Sequence, residues 1–200
     1  MRLLLVRHGE SICSVEGIVG GARGCTGLSE LGFAQARALR DRLAREGLTA
    51  DVLLASTLPR AVQTAEVLGE TLGLQVLRDA DLREFDPGSL DGTRWEDWAD
   101  RFDPAVERDR PLSAGGDSLN GFRARVQALF ERLAAAHDGK TVVAACHGGI
   151  VWMSRRLFVG DDDSQVEVDN TSITEWSHTD GEWELVRIND VKHLQRAQLV

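Results

Sequence analysis

Two histidines, each followed by glycine, are the residues of this chain best suited to chemistry. Arg7-His8-Gly9-Glu10 and Cys146-His147-Gly148-Gly149 both put an imidazole just after an apolar run, and the first adds an arginine beside it. The stretch TLPRAVQTA places Arg60 one residue after Pro59. Imidazole is a good nucleophile near neutral pH because its reference pKa is about 6.5. Guanidinium forks and the free N–H groups of helix starts suit phosphate oxygens. Glycine beside each histidine lets the backbone approach a bulky anion. Gathered at one edge, these groups would hold and attack a phosphoryl group. The stretch DADLRE offers Asp79, Asp81 and Glu84 as proton donors, and the residues themselves do not choose among them. Each group also has a plainer reading: His8 as a hydrogen-bonded loop histidine, Arg7 and Arg60 as surface ion-pair partners, His147 as a partner for buried carbonyls.

The elements that must position these residues are legible as patterns. Leu3-Leu4-Leu5-Val6 reads as a strand buried on both faces, which occurs mainly in parallel sheets covered by helices. Ligands of such sheets bind beyond the carboxyl ends of the strands. DVLLAS (51–56), LQVL (74–77) and KTVVAACHGG (140–149) read as further strands. Ser29 is a candidate N-cap for a helix over 30–46 that Gly47 ends, with Gly32, Ala36, Leu39 and Leu43 on one face. A second helix starts near Pro59, buries Ala61, Ala65, Leu68 and Leu72, and closes at Gly73. A third spans 117–137. ITEWSH and EWELVRIN alternate like strands, joined by the turn TDGE. Residues 11–30 read as a long ordered loop, and loops of that length are usually functional. Residues 79–117, with Pro87, Trp95, Trp98, Pro104 and Pro111, lack periodicity and read as an insertion of short helical pieces covering the sheet's end. The tail from Asp190 reads as loosely held. The whole predicts one domain over residues 1–200, a three-layer α/β/α sandwich with a mostly parallel central sheet.

Composition narrows the function. Of 200 residues, 42% are hydrophobic and 28% charged, ordinary for a soluble globular protein. A net charge of -9 argues against a general nucleic-acid binder, yet local arginines can still dominate an anion pocket. The five tryptophans read as core and cover, because no basic residues interleave them. Cys13, Cys25 and Cys146 are odd in number and widely spaced, which suggests a reducing cytoplasm. Only Arg2 stands between Met1 and the short LLLV run, too little for a signal-peptide core, and no run approaches the ~18 apolar residues of a membrane span. The acidic run Asp161-Asp162-Asp163 reads as a solvated loop. No exposed interface pattern implies an oligomeric state.

LLLVRHGES, STLPRAVQTAE, LREFDPGSLDG and ACHGGIV, in this order over residues 3 to about 173, resemble the motif set of the histidine phosphatase superfamily, also called phosphoglycerate mutase-like. GGDSL (115–119) and NTSI (170–173) also sit where that family tends to have similar strings. The resemblance implies that His8 is the nucleophile that becomes a phosphohistidine, that Arg7, Arg60 and His147 surround the transferred group, and that Glu84 is the proton donor. It implies no cofactor and no metal. The substrate contacts would come from Arg7, Ser14, Gly20, Gly21, Arg60 and Gly148, and the partner would be a small phosphorylated molecule, neither nucleic acid nor membrane.

The chain also departs from the pattern. Ser14 stands where the family often has an asparagine on the phosphate, and CTGLSELG lacks the Asp and Pro of the usual Asp-x-Pro-Leu-Thr loop. Phe85 replaces the basic residue that phosphoglycerate mutases usually carry after the acid, and with Trp95 it suggests an apolar mouth. These departures favour a phosphatase over a mutase. The other readings are a non-catalytic phospholigand module, and a metal hydrolase using His8, His147, Glu84 and Glu10. The last is opposed by two arginines that would repel a divalent cation, and by the absence of metal-ligand spacings.

Overall fold

The computed structural model describes residues 1–97, 108–160 and 167–199. Its six-stranded sheet has the order β3-β2-β4-β1-β5-β6. Strands β1 (Arg2–Arg7), β2 (Val52–Ser56), β3 (Val76–Asp79) and β4 (Thr141–Cys146) are mutually parallel. Strands β5 (Ile173–Thr179) and β6 (Glu182–Asp190) join antiparallel on the far side of β1.

Because side chains alternate across a strand, the apolar runs feed two cores. Leu3, Leu5, Val142, Ala144 and Cys146 pack with Phe122, Leu129 and Phe130 of α4 (Leu119–Ala136) and with Ile150 and Met153 of α5 (Gly148–Phe158). Leu4, Val6, Val143 and Ala145 pack on the other face with Leu39 and Leu43 of α2 (Glu30–Arg45) and with Ala65 and Leu68 of α3 (Pro59–Leu72). This is the three-layer, mostly parallel sandwich that the sequence predicts.

The helix ends follow their local chemistry. Ser29 Oγ accepts from the Gly32 N–H at 3.0 Å, and Ser118 Oγ from the Gly121 N–H at 3.0 Å, each satisfying a first-turn donor. Gly73 closes α3 in the left-handed region at φ 66°. Asp180 and Gly181, at φ 53° and 86°, make the tight turn between β5 and β6.

Three expectations are corrected. The loop over 11–30 contains a short helix, α1 (Ile12–Val15), capped by Ser11. Strand β3 starts two residues later than LQVL, because its register with β2 begins at Leu53 opposite Val76. The tail is not loosely held: α6 (Lys192–Ala197) packs on α2 with Leu194 and His193 buried. Two apolar residues in six, Leu194 and Ala197, are too few to set a period. Within 79–117 the described residues form three 3₁₀ turns, Ala80–Leu82, Gly88–Leu90 and Trp95–Asp97. Trp98, Pro104 and Asp161 to Asp163 lie outside the described residues. Of the other tryptophans Trp176 is fully buried, Trp152 and Trp183 are half-buried, and Trp95 is exposed. No helix among the described residues is long and apolar enough to cross a membrane.

Candidate active site

Strand register brings the two histidines together. Arg7 of β1 pairs with Cys146 of β4, so His8 and His147 are the next residues out on adjacent parallel strands. Both are buried, with ring centroids 5.1 Å apart. His8 Nδ1 lies 2.7 Å from the Gly9 carbonyl oxygen. That oxygen can only accept, so Nδ1 carries the proton and Nε2 keeps the lone pair. Arg60 Nε–H donates to this lone pair at 2.9 Å. On His147, Nε2 lies 2.8 Å from Ser56 Oγ, which itself accepts from the Leu58 N–H. Nε2 is the acceptor that the fully buried Ser56 hydroxyl finds among the described residues, so that hydroxyl is assigned as the donor and the His147 proton to the buried Nδ1, which has no partner among the described residues. Burial first, then the Arg60 guanidinium, push both imidazoles well below the ordinary histidine range, so both are neutral at neutral pH.

Cations and an acid complete the cluster. Arg7 leaves the end of β1 and its Nη1 donates to the Val168 carbonyl, while its buried Nε has no partner among the described residues. Burial lowers the Arg7 pKa ahead of the opposing effects of Glu84 and Asp169. Arg60, in the first turn of α3, donates from Nη1 to the Gly20 carbonyl at 2.6 Å. The Glu84 carboxylate accepts from the Gly149 N–H at 3.1 Å and from the Phe85 N–H at 2.9 Å. A Cβ on Gly149 would stand 1.9 Å from Glu84 Oε1, so the close approach of the acid requires glycine there. The structure thus brings His8, His147, Arg7, Arg60 and Glu84 to one edge of the sheet.

The remaining predicted contacts are distributed around it. Gly20 presents its carbonyl to Arg60, and Gly21 donates its N–H to Asp91 Oδ1 at 2.8 Å. Gly148 opens α5 beside Arg7, where a Cβ would meet Arg7 Nε at 3.8 Å. Ser14 is exposed and its hydroxyl turns back to Ser11 Oγ at 2.7 Å. Glu10, a ligand of the metal-hydrolase alternative, instead accepts from the Ser29 hydroxyl at 2.6 Å. Among the described residues no three His, Cys, Asp or Glu side chains converge as a metal site. A cavity opens beside Glu84, lined by Gly21, Leu58, Arg83, Phe85, Asp117 and Arg125.

Five supporting residues escaped the sequence reading. Ser56 fixes the His147 tautomer from the end of β2. Asn170 donates to the His8 carbonyl at 2.9 Å, and Thr171, at φ 56°, donates its N–H to the Arg7 carbonyl at 2.9 Å; the NTSI string points here without singling out either. Asp91 takes the N–H groups of Gly21, Arg23 and Gly24, from a stretch with no period. Arg125 clamps the carbonyls of Asp81, Arg83 and Glu84 and the Asp117 carboxylate, from a helix legible only by its apolar stripe.

Known proteins bear on this geometry. The chain is 30% identical over 199 residues to the metal-independent phosphoserine phosphatase of Arabidopsis thaliana, covering 96% of this chain and 82% of that one. It is 35% identical over 156 residues to a 2,3-bisphosphoglycerate-dependent phosphoglycerate mutase of Brucella anthropi, covering 73% and 75% of the two. A solved mycobacterial glucosyl-3-phosphoglycerate phosphatase superposes with a TM-score of 0.77 at 29% identity, over 94% of this chain and 98% of that one. The model of the histidine phosphatase superfamily (branch 1) matches residues 3–191, and the chain belongs to that family.

Proposed function

We propose that this chain hydrolyses phosphomonoesters of small metabolites through a phosphohistidine at His8, with Glu84 as the proton donor. It is a phosphomonoesterase of the histidine phosphatase type, a reading that rests on its phosphatase relatives. The observation that carries the assignment to His8 is its Nε2 lone pair, held toward Arg60 by the Nδ1 proton on the Gly9 carbonyl. Nε2 attacks phosphorus as the bond to the leaving oxygen breaks, and Glu84 gives that oxygen its proton. Arg7 and Arg60 meet the charge on the equatorial oxygens, and the free His147 Nδ1–H donates to one of them. Glu84 then takes a proton from water, which attacks phosphorus, and the P–N bond breaks to return the lone pair to His8. No step needs a metal or cofactor.

Phe85 favours hydrolysis over mutase chemistry. It packs edge-on against Phe122 at 5.5 Å between centroids, so the position after Glu84 brings no cation to hold a substrate carboxylate. A cytoplasmic location belongs to the same reading, since all three cysteines are free. So does a small phosphorylated partner rather than nucleic acid.

The test is hydrolysis of p-nitrophenyl phosphate across pH with chelator present, for wild type and His8→Ala. Turnover survives the chelator and falls on the order of 10⁶-fold in His8→Ala, the scale for removing a nucleophile. Turnover that the chelator abolishes, or that His8→Ala retains, overturns the assignment.

A further inference from the structure

A closed circuit of hydrogen bonds joins His8 to Arg60. Thr64 sits on α3 one turn after Arg60 and is fully buried. Its hydroxyl donates to the Arg60 carbonyl at 2.8 Å, a bond that helical threonines commonly make to the fourth residue back. The same oxygen also accepts the Gly9 N–H at 3.1 Å, from a turn 55 positions away in the chain, which a helix by itself does not call for. An N–H can only donate, so the directions are fixed: Gly9 to Thr64, and Thr64 to Arg60. The circuit continues from the Gly9 carbonyl to His8 Nδ1 at 2.7 Å, and closes from His8 Nε2 to Arg60 Nε at 2.9 Å.

The rest of the turn is held by other elements. A Cβ on Gly9 would stand 2.4 Å from the Gly32 carbonyl oxygen of α2, and the Glu10 N–H donates to Gln35 Oε1 of the same helix at 2.9 Å. The Asn170 amide donates to the His8 carbonyl at 2.9 Å from the segment before β5. Toward α3, two hydrogen bonds tie the turn among the described residues: Gly9 to Thr64, and Arg60 to His8.

We propose that Thr64 is a positioning residue for phosphoryl transfer, holding His8 in register with Arg60 when the direct bond between them breaks. Its effect on turnover rests on the roles given above to His8 and Arg60. In the free protein the Arg60 Nε–H occupies the His8 Nε2 lone pair. Attack requires that lone pair to point at phosphorus, and the guanidinium to turn to the equatorial oxygens. Substrate therefore cuts one of the two ties to α3, and the Thr64 bond remains. A turn that drifts by about 1 Å loses the alignment for attack and about 10²-fold in rate. Attraction between the arginines and a phosphate ion needs no such alignment. The loss therefore falls on the transition state and spares the binding of tetrahedral phosphate.

The experiment compares wild type, Thr64→Val and Thr64→Ser. Valine keeps the shape of threonine without the hydroxyl, and serine keeps the hydroxyl without the methyl. For each, kcat on p-nitrophenyl phosphate is measured beside the inhibition constants of phosphate, a tetrahedral ligand, and of vanadate, which adopts the trigonal-bipyramidal shape of the transition state. In Thr64→Val, kcat falls about 10²-fold and vanadate binding weakens by a similar factor, while phosphate binding holds. Thr64→Ser recovers most of both losses. Wild-type kcat in Thr64→Val, equal weakening of phosphate and vanadate, or a Thr64→Ser protein as impaired as Thr64→Val overturns the proposal. Valine strands the buried Gly9 N–H; should that variant not fold, Thr64→Ala is measured in its place, with the same results supporting or overturning. A wild type that hydrolyses no phosphomonoester sinks the phosphatase reading instead. Calorimetric binding of vanadate and phosphate then decides the role of Thr64 alone. A selective loss of vanadate in Thr64→Val supports it; vanadate affinity that is unchanged, or absent from wild type, refutes it.

Discussion

Buried arginines serve opposite ends in two regions of this molecule. Arg42 of α2, with 5% of its side chain exposed, forks onto both Asp190 oxygens at 2.9 and 2.7 Å and reaches Glu46 at 2.7 Å. Asp190 also takes Arg187, which pairs with Glu175, which in turn takes Arg2. Every cation there meets a carboxylate. At the carboxyl edge of β1 and β4, Arg7 and Arg60 spend their hydrogen bonds on neutral partners: the Val168 carbonyl, the Gly20 carbonyl and the His8 lone pair. Charge left uncancelled in a buried place is costly, and the cost is met only when an anion arrives. The acids divide in the same way. Against the raising effect of burial, Arg42 holds the Asp190 carboxyl well below the usual carboxylate range. Glu84 accepts from two backbone N–H groups instead. One region uses charge to hold helix to sheet, and the other keeps it available for chemistry.

The largest effect that sharpens this contrast is expected on Glu84. Glu84→Gln keeps the shape and one of the two backbone hydrogen bonds, since its amide nitrogen cannot accept, and removes the transferable proton. Hydrolysis of an alkyl phosphate slows by about 10²–10⁴-fold. Hydrolysis of p-nitrophenyl phosphate slows less, because its leaving group departs without a proton. Equal slowing on both substrates, measured as kcat, would break the assignment of Glu84 as the acid.

The two arginines give a reciprocal pair. Arg60→Ala lowers kcat by about 10²–10³-fold while leaving the denaturant midpoint near that of wild type. Arg42→Ala strands Asp190 without its fork and costs about 3–5 kcal/mol of stability, while the molecules that remain folded turn over normally. Urea titrations and single-condition kinetics on both variants test the separation. An Arg42→Ala protein that folds well but has lost kcat would mean that the ion network orients the site after all.

What could be read in advance, and what could not, follows the same division. Leu3 to Val6 and Val142 to Cys146 were legible because burial on both faces leaves a continuous apolar run, and the His-Gly pairs were legible because they follow those runs directly. Ser29 and Gly73 were legible because caps are local chemistry. Ser56, Asp91 and Arg125 were not, since each acts on residues far along the chain, 91 positions away for Ser56 and His147 and 70 for Asp91 and Gly21. Helix α6 stayed hidden for a related reason. Its place is set by Leu194 packing and by one hydrogen bond from His193 to Thr171, and neither leaves a periodic trace.

His193 is also where the two regions meet, and it carries the smallest and sharpest test. Its Nε2 lies 2.9 Å from Thr171 Oγ1, next to the backbone that supports Arg7 and His8. Its charged neighbours are Arg42, Asp190 and Glu46. Burial first, then Arg42, push its pKa down to about 4, against the pull of the two acids. The unfolded chain holds this proton up to about pH 6.5, so between those values the unfolded state binds more protons than the folded one. Stability is then complete above the unfolded pKa and declines as pH falls toward the folded one. His8 and His147 add slopes of the same sign, since both are also depressed. His193→Gln can keep the bond to Thr171 without titrating, so it removes at most one proton from the slope, about 1.4 kcal/mol per pH unit. Urea midpoints between pH 7 and pH 4 measure this, with kcat at pH 7 unchanged. A shallower slope with intact kcat keeps α6 on the structural side of the comparison. A kcat that falls with the slope unaltered would place His193 instead among the groups that hold the Arg7-His8 turn in position.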